Sequence, residues 1–92
     1  MLAPYRWKIT RDCIDDGEAV GTEGPQDLNP SIPLDTPFRL LDDDKEVYYY
    51  GKFGGDQAYL EGPLMDFGMP NAGCVALQLR NPATHKWEYV IG

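Results

Sequence analysis

The sequence has few of the residues from which catalytic and metal sites are usually built. It contains two cysteines, Cys13 and Cys74, and one histidine, His85. Two cysteines and one histidine at these spacings cannot supply the ligand set of a structural zinc site. His85 stands in a loop beside Lys86 without a nearby carboxylate, which is typical of a surface residue rather than of a catalytic base. We therefore expect a protein that is not an enzyme and that holds no metal and no cofactor.

Long apolar runs are missing as well. No segment approaches the roughly 20 apolar residues that a membrane-spanning helix needs. The start of the chain, MLAPYRWK, lacks the pattern of a secretory signal. We expect a cytoplasmic protein with no membrane contact, in which both cysteines are reduced and partly buried.

Uninterrupted segments that could form helices are also scarce. Ten glycines and eight prolines punctuate the chain, and the longest segment free of both runs from Phe38 to Tyr50. This composition leaves little room for long helices. A chain of 92 residues suits one domain, residues 1–92, with a single modest core.

Alternation with period two is present and indicates β-strands. Tyr5, Trp7 and Ile9 alternate with polar residues near the start of the chain. A hairpin is predicted from Phe38 to Phe53, with the aspartates of FRLLDDDKEVYYYGKF at its turn.

A second hairpin is predicted around the loop NPATHK. Trp87, Tyr89 and Ile91 are expected to return on one face of its second strand. The core residues predicted from both hairpins and the first strand are Trp7, Ile9, Val47, Tyr49, Leu77, Leu79 and Trp87.

Helix is predicted only within GGDQAYLEGP, where Asp56 is the expected N-cap and Gly62 with Pro63 the expected end. The next segment, LMDFGMPNAGC, is interpreted as a turn-rich crossing. The sequence therefore predicts a mainly β fold: an antiparallel sheet of about five strands, strongly bent or half-closed into a barrel, with long loops and one short helix.

The first hairpin also offers a candidate recognition surface. Alternation places Tyr48 and Tyr50 on its outer face, beside the acidic turn. Tyrosine provides a large contact area at low entropic cost, so an exposed pair would suit binding to a protein partner. Tyrosine is equally a good strand former, and this structural interpretation remains open.

Negative charge is concentrated in the middle of the chain. The net charge is −7, and residues 12–66 hold 14 acids against three bases, a balance of −11. Such a field repels nucleic acid and anionic membranes and attracts basic surfaces, although it also serves solubility. The predicted partner-binding acids are Asp15, Asp16, Glu18, Asp42, Asp43, Asp44 and Glu46.

Several segments carry a resemblance to a known family. RWKITRDCIDDGEAVGTEGP, PFRLLDDDKEVYYYG, DFGMPNAGC and RNPATHKWE resemble a family of small, uncharacterised proteins found in bacterial chromosomes, plasmids and phages. That resemblance spans nearly the whole chain and implies no activity. The small, acidic, single-domain profile is also similar to that of many phage-encoded anti-CRISPR proteins.

Two functions follow as expectations. In the first, a phage or mobile-element inhibitor presents its acidic face to a basic, normally nucleic-acid-binding surface of a larger machine such as a CRISPR effector complex. In the second, a bacterial accessory domain binds a protein partner through its tyrosines and sheet edge. Either protein would be a monomer or a small homo-oligomer without direct contact to nucleic acid.

Overall fold

The computed structural model describes the whole chain, from Met1 to Gly92. It contains six β-strands and one short helical region, so the mainly β prediction is confirmed. The strands are β1 Tyr5–Asp12, β2 Glu23–Gly24, β3 Thr36–Leu41, β4 Val47–Gly55, β5 Ala76–Arg80 and β6 Trp87–Ile91. None of the helices is of a length and apolar character that would carry it across a membrane.

The six strands form one open antiparallel sheet in the order β2-β1-β4-β3-β5-β6. The predicted hairpins are the pairs β3–β4 and β5–β6. The first strand pairs with the second strand of the first hairpin, so that Trp7 lies opposite Phe53. One face of this sheet is covered by the helical region and carries the core.

Alternation explains which residues form that core. Ile9, Phe38, Leu40, Phe53 and Leu77 have no solvent exposure. The remaining members of the main buried cluster are Trp7, Tyr49, Leu64, Phe67 and Cys74. Each buried apolar side chain of this size contributes about 1.5–3 kcal/mol to folding, so this face carries most of the stability.

The predicted helical turn with Asp56 as its N-cap is present, but most of the helical region lies later in the chain. Asp56 caps a short 3₁₀ turn, Gln57–Tyr59, by accepting the N–H of Ala58 at 2.9 Å. Pro63 then precedes a π-helix, Leu64–Gly68, which continues as the α-helix Met69–Ala72. The interpretation of this segment as a turn-rich crossing was wrong, because proline is tolerated at the start of a helix, where its missing N–H costs nothing.

A β-bulge in β6 changes the face of Trp87. Leu77 pairs with Ile91 and Gln78 pairs with Tyr89, which leaves Val90 as the extra residue. Ile91 therefore packs against the core, but Trp87 and Tyr89 lie on the opposite face, so the three residues do not share one face as predicted. The expectation that Trp87 belongs to the core was wrong.

A second bulge shifts the start of β4. Leu40 pairs with Tyr49 and Leu41 pairs with Val47, so Tyr48 is the extra residue. Val47 is half-buried beside Leu41 instead of entering the core as predicted. The last predicted core residue, Leu79, is half-buried and packs against the cluster from its margin.

Candidate functional site: an acidic rim at one end of the sheet

The two acidic segments meet at one end of the sheet. Strand β1 ends where β4 begins, and Asp12 lies opposite Tyr49. The N–H of Cys13 donates to the carbonyl of Tyr48 at 2.8 Å, which joins the loop after β1 to the turn before β4. We call this surface the acidic rim, and its members are Asp12, Asp15, Asp16, Glu18, Asp42, Asp43, Asp44 and Glu46.

Asp12 organises the first half of the acidic rim. Its carboxylate accepts the N–H groups of Ile14 at 2.9 Å, Asp15 at 3.0 Å and Ala19 at 3.0 Å. Desolvation opposes ionisation of this carboxyl, but the three N–H donors together outweigh it and lower its pKa. Asp12 therefore remains charged and holds the loop in one conformation.

Asp42 has the same role in the second half. Its Oδ1 accepts the N–H of Glu46 at 2.8 Å and that of Asp44 at 2.9 Å. The bond from Glu46 is the main reason that the pKa of Asp42 is lowered, and the hydroxyl of Tyr48 beside the carboxylate adds to it. Asp42 is thus a structural residue of the turn as well as a charge.

The other acids of the rim are free to meet a partner. Asp15, Asp16 and Glu18 are exposed. Asp43, Asp44 and Glu46 are exposed as well. The carboxylates of the three consecutive aspartates approach within 4.8 Å of one another, so their charges form a dense patch.

A hollow of about 240 Å³ opens within the acidic rim. Its walls carry the carboxylates of Asp12, Asp15 and Glu18, and apolar surface comes from Tyr49 and Phe67. Burial raises the pKa of Tyr49 to about 12, and the negative charge of Asp12 adds to this effect. Carboxylates around an apolar base are complementary to a lysine or arginine side chain, whose stem is apolar and whose head is charged.

The predicted tyrosine pair does not form an exposed surface. Tyr48, at the bulge, is half-buried and packs against the core cluster. Tyr50 is half-buried on the other face, where its ring centroid lies 5.8 Å from that of Trp87. The bulge separates the two side chains, which a regular strand would have kept together.

The cysteines and the histidine do not come together. Cys74 is fully buried beside Gly68, and burial raises the pKa of its thiol to about 11. Cys13 is exposed beside the acidic rim, so the expectation that both cysteines are partly buried was wrong for this residue, and both thiols are free. The imidazole Nδ1 of His85 lies 3.0 Å from the guanidinium of Arg80 in an exposed loop. This geometry offers no activated nucleophile.

Sequence reasoning missed a second surface, on the sheet face that the helix leaves uncovered. Arg39 and Trp87 meet there, with the guanidinium carbon 4.6 Å from the ring centroid. Arg11 approaches Tyr50 in the same way, at 5.7 Å. Tyr50 and Lys52 lie two residues apart on one face of β4, and this spacing indicated the surface in the sequence. The position of Trp87 on the same surface depends on the bulge in β6.

Comparison with known proteins gives no family assignment. The chain matches no protein-family model, no curated protein and no solved structure.

Proposed function

We propose that the protein is a non-enzymatic binding protein whose acidic rim docks on a basic surface of a larger complex, a surface that normally holds nucleic acid. Such a protein would act as an inhibitor, in the manner of an anti-CRISPR protein encoded by a phage or another mobile element. The observation that carries the proposal is that two acidic segments meet at one end of the sheet, where the first of them lines a hollow.

The electrostatics of the rim support this role. Eight carboxylates stand at one end of a small sheet, and Arg6 with Glu23, the only ion pair in the protein, lies elsewhere. A dense group of exposed charges raises the rate of association with a surface of opposite sign. One exposed charge pair contributes only about 0.2–1 kcal/mol, so the effect requires several acids together.

The hollow also has a shape that would fit a basic side chain. A groove that binds phosphates presents lysine and arginine side chains. The hollow between Asp12, Asp15 and Glu18 would take one such side chain, while the exposed aspartates of the β3–β4 turn would meet its neighbours. Tyr49 and Phe67 would contact the apolar stem.

The test begins with the immobilised full chain and a lysate of the bacterium that carries it. Proteins retained at low salt are identified, and displacement of an oligonucleotide from the purified partner is then measured. The variant Asp43→Asn/Asp44→Asn/Glu46→Gln removes three exposed charges and keeps the turn residue Asp42. We expect its affinity to fall at least tenfold at low salt, about 1.4 kcal/mol, with a weaker dependence on salt.

A matched control removes the same charge elsewhere. Asp27, Glu61 and Glu88 are exposed acids outside the rim. The variant Asp27→Asn/Glu61→Gln/Glu88→Gln has the same net charge as the rim variant and should bind as the wild type does. Equal losses in both variants would mean that only net charge matters, and a partner that binds without displacing nucleic acid would contradict the inhibitor role.

The alternative, an accessory domain that binds through its sheet edge, is supported by β6. This edge strand has exposed apolar residues, with Tyr89 at 48% and Val90 at 43% exposure. An apolar contact of that kind would be nearly independent of salt. The variant Val90→Thr would weaken it, whereas the rim variant would leave it unchanged.

A further inference from the structure

The sheet face opposite the core interleaves cations with aromatic rings. The pairing of the strands places Lys8 opposite Lys52, Arg11 opposite Tyr50, and Arg80 opposite Trp87. We call this surface the cationic face, and its members are Lys8, Arg11, Arg39, Tyr50, Lys52, Arg80, Trp87 and Tyr89.

The rings and guanidinium groups form a continuous row across the strands. Arg11 lies over Tyr50, the ring of Tyr50 contacts that of Trp87, and Trp87 is covered on one side by Arg39. Arg39 is fixed in place because its Nε donates to Gln78 Oε1 at 2.6 Å. The row is therefore a preorganised platform rather than a set of independent side chains.

The cations of this face form no ion pairs. Arg6 and Glu23 form the only ion pair, at the β1–β2 edge, so the five cations of the face are not neutralised by a contact of that kind. Glu23 is also the only acid at a strand position on this side of the sheet. Although the net charge of the chain is −7, cations outnumber acids at the strand positions of this face, and charges beyond about 8–10 Å are screened by salt.

The surface is accessible where a ligand would contact it. Lys52 and Arg80 are exposed, and Tyr89 is 48% exposed. Beside Arg80 lies a hollow of about 280 Å³, whose walls include His85 and the single carboxylate of Asp35. Tyr50 and Trp87 are half-buried, so each presents part of its ring.

We propose that the cationic face binds single-stranded nucleic acid. Bases would stack on Tyr89 and the free part of Trp87, and phosphates would lie against Lys52 and Arg80. Proteins that bind single strands combine a positive surface with aromatic rings on which bases stack. A duplex hides the ring faces of its bases, and an acidic peptide would use the cations and leave the rings without stacked partners.

This activity is independent of the acidic rim, because the two surfaces share no residue. It also differs from the expectation drawn from net charge, that the chain makes no direct contact with nucleic acid. Net charge governs approach from a distance, whereas contact is governed by the charges within a Debye length.

The experiment measures the fluorescence anisotropy of a labelled oligothymidylate of about 20 nucleotides, a few binding-site lengths, titrated with the full chain. We expect saturable binding at low salt. If three phosphates are contacted, the logarithm of the affinity should fall with the logarithm of salt concentration with a slope of about −2.

Two variants separate charge from stacking. Lys52→Gln/Arg80→Gln should weaken binding about tenfold, which is the effect expected when two phosphate contacts are lost. Tyr89→Ala, at an exposed position, should weaken it about fivefold or more through the loss of stacking. The control Lys45→Gln/Lys86→Gln also removes two positive charges, but at residues outside the face. It should bind as the wild type does. Circular dichroism confirms that each variant is folded.

Three results would overturn the proposal. The first is no rise in anisotropy at low salt, and the second is equal weakening by the Lys45/Lys86 control. The third is competition by polyglutamate as effective as that by unlabelled oligothymidylate, which would make the face a site for acidic protein segments. The acidic rim variant should keep or increase oligonucleotide affinity, so failure of this proposal is distinguishable from failure of the proposed function.

Discussion

The indole of Trp7 donates its Nε1 hydrogen to Asp66 Oδ2 at 3.0 Å, and this contact ties the helical region to the first strand. The same oxygen accepts the hydroxyl of Tyr5 at 2.7 Å. Asp66 lies in the π-helix, and the two aromatic residues lie on one strand, so one carboxylate links the helix to the sheet in addition to the burial of Leu64 and Phe67.

Removal of this carboxylate should destabilise the fold. Asp66→Ala leaves the indole N–H of Trp7 and the hydroxyl of Tyr5 without their partner. We expect a loss of about 1–3 kcal/mol in the free energy of unfolding, measured by urea denaturation. Glu61→Ala, at an exposed acid near the same end of the sheet, is the control and should change stability by less than about 0.5 kcal/mol. Equal effects would show that the carboxylate contributes no specific contact.

The acids of the β3–β4 turn should differ in their effects on stability. Asp42→Ala removes the acceptor of the Asp44 and Glu46 N–H groups and should cost about 1 kcal/mol. Asp43→Ala alters an exposed side chain and should stay within about 0.5 kcal/mol of the wild type. Thermal denaturation of the two variants is the measurement. A neutral Asp42→Ala would mean that the turn is held by its backbone alone.

Stability should fall in alkaline solution because the pKa values of Tyr5, Tyr48 and Tyr49 are raised in the folded chain, and Tyr49 is the most deeply buried of the three. The pKa of Tyr49 is raised to about 12 in the folded chain, against about 10 for an unfolded tyrosine. The folded state thus binds the proton more tightly, and the associated stability is complete below pH of about 10 and is lost as pH rises towards 12.

The measurement is urea unfolding at several pH values in this range. Tyr49→Phe should reduce the dependence of stability on pH, because its ring cannot ionise. Tyr89→Phe removes an exposed hydroxyl and should keep the dependence of the wild type. An unchanged dependence in Tyr49→Phe would contradict the assignment to this residue.

The two thiols should react at very different rates. Cys13 is exposed, whereas Cys74 has no solvent exposure and a pKa raised to about 11 by burial. Because the thiolate is the reactive form, we expect a thiol reagent to modify one cysteine in the native protein and both in denaturant. Cys13→Ser should abolish the native reaction. Rapid native modification of that variant would show that the helix opens around Cys74.

Much of the sheet could be predicted from the sequence, because strands with one buried face leave a period-two pattern. Trp7 and Ile9 are examples, as are Tyr49 and Leu77. Bulges leave no such pattern. A one-residue irregularity at Val90 moves Trp87 across the sheet, and its position is decided by packing between distant segments rather than by local propensity.

The helical segment after Pro63 was missed for a different reason. A proline such as Pro63 is common just after a helix ends, but it is equally common where a helix begins. Only the burial of Leu64 and Phe67 shows that a helix begins here. The acidic segments were each correctly placed at turns. Their meeting in one rim required the pairing of β1 with β4, which joins parts of the chain far apart in sequence.

That pairing also has a consequence for the order of folding. Strand β1 is made first, but its main partner, β4, follows only after the long proline-rich segment and β3. Closing such a long loop is slow, whereas the β3–β4 hairpin closes locally. We expect substitutions at Phe38 to slow refolding and substitutions at Ile9 mainly to speed unfolding, a difference that stopped-flow kinetics can measure. On a ribosome, the first strand would then leave the exit tunnel with only the short strand β2 to pair with until residues 13–55 have followed it.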